Sequence, residues 1–181
     1  MSRIVLTALF LLALAGVAVG CGAKDALVLE EGEEVEIGGI EYNVVLTRYL
    51  NPEDREDQAY LIGKDPPEKD EKYLATFVQV HNTLDEPASP LQDFFVNDSR
   101  GNEYEPLETD SPFRYPKTVE LEAKGEANSQ LPLSNGPAAT GPISGSMILF
   151  LIDAESNENR PLELNLPRGE GEEPAKFELD I

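Results

Sequence analysis

Cysteine and histidine are the side chains most often used as nucleophiles, general bases or soft metal ligands, and each occurs once in this chain, as Cys21 and His81. Protein-bound zinc or copper usually needs three or four nitrogen or sulfur ligands, which these two residues cannot supply. His81 lies near the end of a predicted strand, and we interpret it as a strand residue, not a catalytic base. We therefore predict no catalytic residue, no metal site and no cofactor.

Acidic side chains are the other possible source of chemistry, because Asp and Glu number 35 against 14 Lys and Arg. Residues 97–101 have the composition of a calcium loop, but their glycine comes one position too early for the usual ligand spacing. Residues 65–71 hold four acidic side chains, although a charged run is usually a solvated loop. Paired carboxylates also catalyse hydrolysis, but this abundance singles out no pair.

The first 21 residues have the layout of a secretory signal. Arg3 supplies positive charge, residues 4–19 are almost uninterruptedly apolar, and small residues lead into Cys21. The apolar run is short for a bilayer span of about 20 residues. An uncleaved single-span anchor and an ordinary signal with an incidental cysteine are the alternatives.

The end of this signal, Ala18-Val19-Gly20-Cys21, resembles the lipobox of bacterial lipoproteins. The resemblance implies that Ala18, Val19 and Gly20 are the positions recognised by the signal peptidase. It also implies that Cys21 receives a diacylglyceryl group and becomes the new amino terminus, which is often acylated as well. We accordingly predict a lipid anchor at Cys21.

The predicted domain boundaries follow from this signal. Residues 1–20 are the signal peptide, residues 21–26 hold the lipidated cysteine and a short tether, and residues 27–181 form one domain large enough to bury a core. Loss of Arg3 leaves 13 basic against 35 acidic side chains, a formal charge of −22. Such a surface repels phosphate backbones, so we expect no nucleic-acid partner.

Beyond the tether, hydrophobicity alternates with a period of two, which is typical of half-buried strands. The pattern places Ile40, Tyr42, Val44 and Leu46 on one face, directed at the core. Two glycines directly before this strand suit a tight turn from a shorter strand over residues 33–37.

The two most apolar strands are predicted over residues 72–83 and 145–152. The first is long enough to lie in the middle of a sheet, and the second suits burial on both faces. We expect Val78 and Val80 to pack across the sandwich against Leu149 and Leu151. Further strands are predicted over residues 58–62, 94–97, 103–105, 119–121 and 130–133, with a hairpin loop at 98–102 and a closing hairpin over 162–166 and 177–181.

About seven to nine strands without a sustained helical period indicate an all-β fold, an antiparallel β-sandwich. The order of motifs resembles the immunoglobulin-like domain known as DUF4352, found in bacterial surface lipoproteins. Four stretches carry the resemblance: residues 38–42, the strand 72–82 that ends in asparagine, 94–104 and 141–152. The resemblance implies a noncatalytic immunoglobulin-like module outside the cytoplasm. Residues 109–137, rich in Pro and Gly, depart from it as a long insertion.

Signal, charge and strand pattern together predict a lipid-anchored module that binds a partner or supports an envelope assembly without catalysis. We expect it in the cell membrane or envelope, facing outside the cytoplasm, attached through Cys21. Its partner would be an envelope protein or a small ligand, and the absence of Trp weakens a sugar-binding interpretation. Two alternatives stay open: an exported hydrolase that uses acidic residues, and a calcium-dependent adhesion or binding domain.

Replacing Cys21 with Ser should remove the lipid, because the chain has no other thiol to carry it. Stable anchoring needs more than one acyl chain, and the variant would carry none. It should therefore persist as an uncleaved precursor or leave the membrane. Intact mass spectrometry of membrane and soluble fractions measures both outcomes. A variant with the same mass and the same fractionation as the wild type would contradict lipidation at Cys21.

Overall fold

The computed structural model describes residues 27–181, which form two β-sheets packed face to face. The regular helices are short: α1 covers Pro137–Thr140, and 3-10 helices cover Asp57–Ala59 and Ala154–Glu158. The ten strands are β1 (Leu27–Glu30), β2 (Glu34–Ile37), β3 (Ile40–Leu50), β4 (Glu71–Asn82), β5 (Phe95–Asn97), β6 (Glu103–Tyr104), β7 (Gln130–Leu131), β8 (Ser146–Asp153), β9 (Glu163–Leu166) and β10 (Ala175–Glu178).

These elements confirm the predicted all-β sandwich, with ten strands in the described part of the chain. No helix between residues 27 and 181 is both long enough and apolar enough to cross a membrane. The predicted signal peptide, the tether and Cys21 lie outside the described residues, so their predictions stand as predictions.

Strand order defines two five-stranded sheets. Sheet A runs β1-β10-β9-β5-β6, and sheet B runs β2-β3-β4-β7, with β8 also paired to β4. The pairs are antiparallel except β1 and β10, which run parallel with Leu27 opposite Ala175. The predicted closing hairpin is confirmed by β9 and β10, where Leu164 lies opposite Phe177. The long strand β4 lies between β3 on one side and β7 and β8 on the other, as its length predicted.

The β2–β3 hairpin also follows the prediction. Its two turn residues, Gly38 and Gly39, have φ values of +62° and +78°, the left-handed pair that a type I′ turn requires. A side chain on Gly39 would in addition collide with Leu84, at 2.4 Å from a Leu84 carbon. Glycine is therefore needed at this turn for both its backbone and its neighbours.

The main core lies between the sheets and draws on nearly every strand. It includes Val44, Leu74 and Val80 from sheet B and Val96 and Leu164 from sheet A, all 0–1 % exposed. Burial of this apolar area is the principal stabilising term of the fold. The fully buried large side chains are Tyr42, Phe77, Phe150, Phe177, Leu74, Leu121, Met147, Leu149, Ile152, Leu162, Leu164 and Leu166.

A second core covers the outer face of sheet B. Tyr73, Ala75 and Phe77 of β4 point away from sheet A, and each is buried. The Tyr60 ring meets Phe77 edge to face at a centroid distance of 5.3 Å and lies 4.7 Å from the Phe113 ring, both favourable aromatic separations. We call this set the outer core: Leu50, Tyr60, Leu61, Tyr73, Ala75, Phe77, Met147 and Leu149.

The predicted contact of Val78 and Val80 with Leu149 and Leu151 is wrong. β4 and β8 are neighbours in sheet B, with Thr76 opposite Ile148. Val78 and Val80 lie in the core between the sheets, whereas Leu149 lies in the outer core and Leu151 packs against it. Two continuous apolar runs reveal burial on both faces, but they do not reveal whether the two strands pair or face each other.

A β-bulge in β3 corrects the predicted position of Leu46. Val44 lies opposite Val78 and Leu46 opposite Phe77, so Val45 is the extra residue. An inserted residue reverses which side chains face the core. Leu46 is consequently 36 % exposed, and Thr47 is buried in its place at 2 %.

The strand predicted over residues 58–62 is also wrong. The chain turns there in a 3-10 helix, where buried Asp57 forms an ion pair with Arg48 and accepts a hydrogen bond of 2.8 Å from the Asn51 N–H. These bonds close residues 51–57 into a loop and place the following apolar residues in the outer core.

Asn82, the asparagine at the end of β4, joins three separate loop positions. Its Nδ2 donates to the carbonyls of Glu86 at 2.8 Å and Glu122 at 2.9 Å, and its Oδ1 accepts from the Leu84 N–H at 3.0 Å. Because the side chain is 3 % exposed, these bonds satisfy polar groups that water does not reach. The residue therefore ties the β4–β5 connection to the Pro/Gly-rich segment.

The bulge predicts a difference between two otherwise similar truncations. Ile40→Ala should cost about 2–5 kcal/mol, because it leaves a cavity at a residue that is 3 % exposed. Leu46→Ala should cost less than about 1 kcal/mol, because that side chain is largely outside the core. Urea denaturation of both variants measures the difference. Equal losses would show that β3 keeps the unbulged register.

Candidate functional site: a groove beside strand β8

The free edge of β8 is partly covered by a proline-rich segment, residues 106–118. At one point the Leu107 N–H donates to the Leu149 carbonyl at 2.6 Å, and at another the Tyr115 N–H donates to the Met147 carbonyl at 2.7 Å. The segment thus approaches the strand twice and leaves it in between.

Residues 108–112 make this detour and leave what we call the β8 groove, formed by three adjoining depressions. The inner end is a cleft of about 120 Å³. Arg114 borders all three depressions, Lys117 borders the inner two, and the outer end opens beside Leu133, which is 41 % exposed. The inner cleft has a mixed lining: apolar side chains such as Phe94, Met147 and Leu149 alternate with polar ones, namely Gln92, Glu108, Thr109, Arg114 and Lys117.

The detour is held by the loop that contains Tyr60 and Leu61, which also covers the outer face of sheet B. Ser111 is completely buried, and its hydroxyl donates to the Ala59 carbonyl at 3.0 Å. The Thr109 hydroxyl and the Asp110 N–H both donate to the Ile62 carbonyl, at 3.2 and 3.4 Å. Since the outer core holds the neighbouring Tyr60 and Leu61 in place, the rim of the groove is built on a packed support.

Two tyrosine hydroxyls hold the opposite wall. The Tyr42 hydroxyl accepts from the Leu91 N–H at 2.8 Å, and the Tyr115 hydroxyl donates to the Leu91 carbonyl at 3.1 Å. The Tyr115 ring also meets Phe94 edge to face at 5.1 Å. This clasp positions Leu91 and the adjoining Gln92 and Phe94, of which the last two line the inner cleft.

Burial of the clasp changes the acidity of both phenols. Burial raises the pKa of Tyr42 to about 12, against a smaller lowering by the hydrogen bond from Leu91. Burial raises the pKa of Tyr115 strongly as well, and the nearby Tyr42 adds to the rise. Both hydroxyls therefore stay protonated at neutral pH.

Arg114 is the free cation of the groove. Its guanidinium makes a long hydrogen bond of 3.4 Å to the Ser111 carbonyl, and no carboxylate of the described chain lies within ion-pair distance of it. Lys117 instead forms an exposed ion pair with Glu108. On a chain with a formal charge of −21, this exposed arginine is the group in the groove that suits an anionic ligand, although Glu108 and Asp110 border the same depression.

Of the residues singled out from the sequence, Ala18, Val19, Gly20 and Cys21 lie outside the described part of the chain. His81 lies near the end of β4, where its Nδ1 is 3.8 Å from a Glu41 carboxylate oxygen, and its side chain is half exposed. His81 borders none of the three depressions of the groove.

The loop at residues 97–101 uses its carboxylate internally. Asp98 is 1 % exposed and accepts four hydrogen bonds of 2.8–3.3 Å, from the Arg100 and Asn102 N–H groups and from the Asn102 and Asn159 side-chain amides. Burial alone would raise the pKa of this carboxyl, but these bonds outweigh burial and hold the pKa below its ordinary value. The carboxylate therefore stabilises the β5–β6 hairpin, and its oxygens are engaged by N–H donors of the chain itself.

The acidic loop at residues 65–71 is likewise tied to the chain. The Asp65 carbonyl accepts from the Tyr73 hydroxyl at 2.7 Å, and the Glu71 carboxylate accepts from the Glu68 N–H at 3.0 Å. Nowhere in residues 27–181 do three or more His, Cys, Asp or Glu side chains come together as metal ligands would.

Sequence patterns missed the β8 groove. The segment carries prolines at Pro106, Pro112 and Pro116, and these indicated only an irregular insertion. Nothing in the spacing of Arg114 or Tyr115 indicates that both lie against β8, over 30 positions later in the chain. The contact arises from tertiary packing.

No family model and no curated protein matches this chain. Its fold does match solved structures. A protein from Clostridium difficile 630, described as an uncharacterized β-sandwich protein, superposes with a TM-score of 0.53 at 14 % identity, over 87 % of this chain and 96 % of that one.

Two further structures come from bacilli. The Bacillus subtilis strain 168 protein ycdA, provisionally described as a lipoprotein, has a TM-score of 0.50 at 14 % identity and aligns with 83 % of this chain but 39 % of its own. A conserved hypothetical protein of Bacillus anthracis has a TM-score of 0.50 at 12 % identity, over 81 % and 94 % of the two chains. Such low identities establish a shared β-sandwich fold alone.

Stability should fall as the pH rises above 10. The unfolded chain ionises its tyrosines near pH 10, whereas Tyr42 keeps its proton up to about pH 12; stability present below pH 10 is therefore lost as the pH rises towards 12. Ultraviolet absorbance titration should show the phenols of Tyr42 and Tyr115 ionising last, together with unfolding. Titration of every tyrosine near pH 10 in the folded protein would contradict the clasp.

Tyr42→Phe isolates the contribution of the clasp. It removes the acceptor of the Leu91 N–H and should cost roughly 0.5–1.5 kcal/mol at neutral pH. The matched control is Tyr49→Phe, whose hydroxyl makes an exposed hydrogen bond of 3.3 Å to Asn157. The control should cost less, and a larger loss in the control would contradict the assignment.

Proposed function

We propose that this protein is a noncatalytic binding module, held to the cell envelope by a lipid at Cys21, and that the β8 groove is where it contacts its partner. The observation that carries the proposal is the combination of a filled sandwich with a concavity built by loops. Both cores are filled by side chains, so the sheets offer no cavity for a ligand. Contact with a partner is therefore assigned to residues 106–118 and their neighbours. Binding residues commonly lie on loops that a rigid scaffold positions.

The composition of the groove supports binding over hydrolysis. Acid–base hydrolysis of glycosides uses two converging carboxylates; Glu108 and Asp110 both border the groove, but Glu108 is engaged by Lys117. Arg114 and the apolar side chains of the mixed lining instead suit an anionic ligand with an apolar part. The acidity of the rest of the chain disfavours a nucleic-acid partner.

The position of the groove fits attachment at the amino terminus. The tether of residues 22–26 spans at most about 18 Å when extended and enters the fold at β1. β1 is one edge strand of sheet A, and β6, which leads into the groove segment, is the opposite edge. An anchor at Cys21 therefore enters the fold at the edge of sheet A opposite the strand that leads into the groove segment.

Site-specific crosslinking in intact envelopes tests the proposal. A photo-reactive amino acid in place of Thr118, which is exposed and borders the outer two depressions, should yield an adduct of defined mass. The matched control replaces Asn128, an exposed residue that borders none of the three depressions. Adducts at neither position, or at both in equal amount, would contradict a partner in the groove.

A further inference from the structure

Strand β1 forms an open edge of sheet A. It pairs with β10 on one side, and no other strand of residues 27–181 pairs with it on the other. Its side chains at this edge are apolar: Val28 is 54 % exposed and Leu27 is 38 % exposed. Other strand edges are short or charged, because β6 and β7 have two residues each and β2 carries Glu34 and Glu36. An exposed apolar edge strand is a surface along which another extended chain can pair.

The backbone of Val28 points towards this open edge. Two residues later, Glu30 donates its N–H to the Glu33 carboxylate at 2.8 Å, and its carbonyl accepts from the Glu33 N–H at 3.1 Å. Both groups of Glu30 are therefore directed away from β10. The N–H and C=O of one strand residue point to the same side, and this side alternates along the strand. Val28 thus directs its N–H and C=O to the open edge, as Glu30 does, where a further strand can reach them.

Two carboxylates lie side by side next to this edge. In the parallel register of β1 and β10, Glu30 lies opposite Glu178, and both side chains are exposed on the face of sheet A that points away from the core. Like charges directly opposite each other destabilise a sheet. The ion pairs of residues 27–181 include neither residue, and the neighbouring Lys176 is paired with Glu163 at 2.8 Å. The two carboxylates therefore suit a cation from outside the described chain.

A depression of about 380 Å³ adjoins the two carboxylates. Its border carries four carboxylates and one guanidinium, from Glu30, Glu31, Glu178, Asp180 and Arg160. Arg160 donates to the carbonyl and the side-chain oxygen of Asn157, at 3.3 and 3.1 Å. Four carboxylates against one guanidinium leave a formal excess of three negative charges, so the depression favours a cationic side chain.

The two features together favour a polypeptide over a small cation. A small cation would meet the carboxylates but would use neither the backbone nor the side chain of Val28. An extended chain uses all three, through its own backbone, an apolar side chain and a basic side chain. A second copy of this acidic chain would bring further carboxylates to the same edge and is disfavoured by repulsion.

We propose that an extended segment of a partner protein adds to sheet A along the open edge of β1. Its backbone exchanges hydrogen bonds with Val28, an apolar side chain lies beside Val28, and a Lys or Arg two residues away lies against Glu30 and Glu178. Side chains two positions apart share one face of a strand, so this spacing places both on the outer face. The surface shares no bordering residue with the β8 groove, so the inference does not depend on the contact proposed there.

Three matched peptides test this inference on the lipidated full chain in detergent micelles. The probe is a capped, fluorophore-labelled heptapeptide of threonine with valine at its third position and lysine at its fifth. One control replaces the lysine with norleucine, and the other moves the lysine to the fourth position, which places it on the opposite face. Fluorescence anisotropy should show roughly threefold to tenfold tighter binding of the probe than of either control. Equal binding of the probe and either control would overturn the proposal.

Substitutions of the two carboxylates locate the contact. Glu30→Gln and Glu178→Gln should each weaken binding of the probe by roughly twofold to fivefold. Each should also raise the melting temperature of the peptide-free protein, because it removes a like charge from a cross-strand pair. The matched control is Glu126→Gln, at an exposed residue outside this depression, which should change both quantities less. Effects no larger than those of the control would overturn the assignment to β1.

The backbone contact has a separate readout. In protein labelled with ¹⁵N-valine, hydrogen exchange of the Val28 amide should slow when the probe binds, because the amide gains an acceptor. The amide of Val44, which is buried within sheet B, should keep its exchange rate. An unchanged Val28 rate with the probe bound would overturn strand addition. Displacement of the probe by an equal concentration of spermidine would overturn the polypeptide class.

Discussion

Burial of β4 on both faces is the constraint on which the rest of this structure depends. One face of the strand lies in the core between the sheets, where Leu74, Val78 and Val80 are 0–1 % exposed, and the other carries Tyr73 and Phe77, which sheet A does not reach. An uncovered second face would expose a contiguous apolar patch. Irregular segments, in place of a third sheet, cover this second face of β4.

The β8 groove follows from how those segments cover the strand. The loop around Tyr60 and Leu61 and the segment around Phe113 close over sheet B, and the latter also bonds to the edge of β8. A proline-rich segment cannot pair continuously along a strand, because proline has no N–H to donate. Its detour leaves a cleft beside β8. The feature that we interpret as a binding site is thus a consequence of incomplete edge coverage.

Polar side chains that each make several hydrogen bonds, or act in pairs, hold the loops of a domain that has no disulfide. Asn82 joins three loop positions, Asp98 closes the β5–β6 hairpin with four hydrogen bonds, and two tyrosine hydroxyls clasp Leu91. Buried polar groups that are fully satisfied rigidify a fold and are expensive to disturb. Long connections around such fixed points keep defined positions, which a loop-built binding surface requires.

The sequence by itself determined the local features: the all-β class, the tight turn at Gly38 and Gly39, the closing hairpin, and the central position of β4. Each depends on alternation, strand length or turn chemistry within one short stretch of the chain. Only the tertiary structure decided that Val45 is an extra residue that turns Leu46 outward and that β4 and β8 are neighbours. It alone brought Arg114 to the edge of β8. Periodicity reports how many faces of a strand are buried, but not which distant segment buries them.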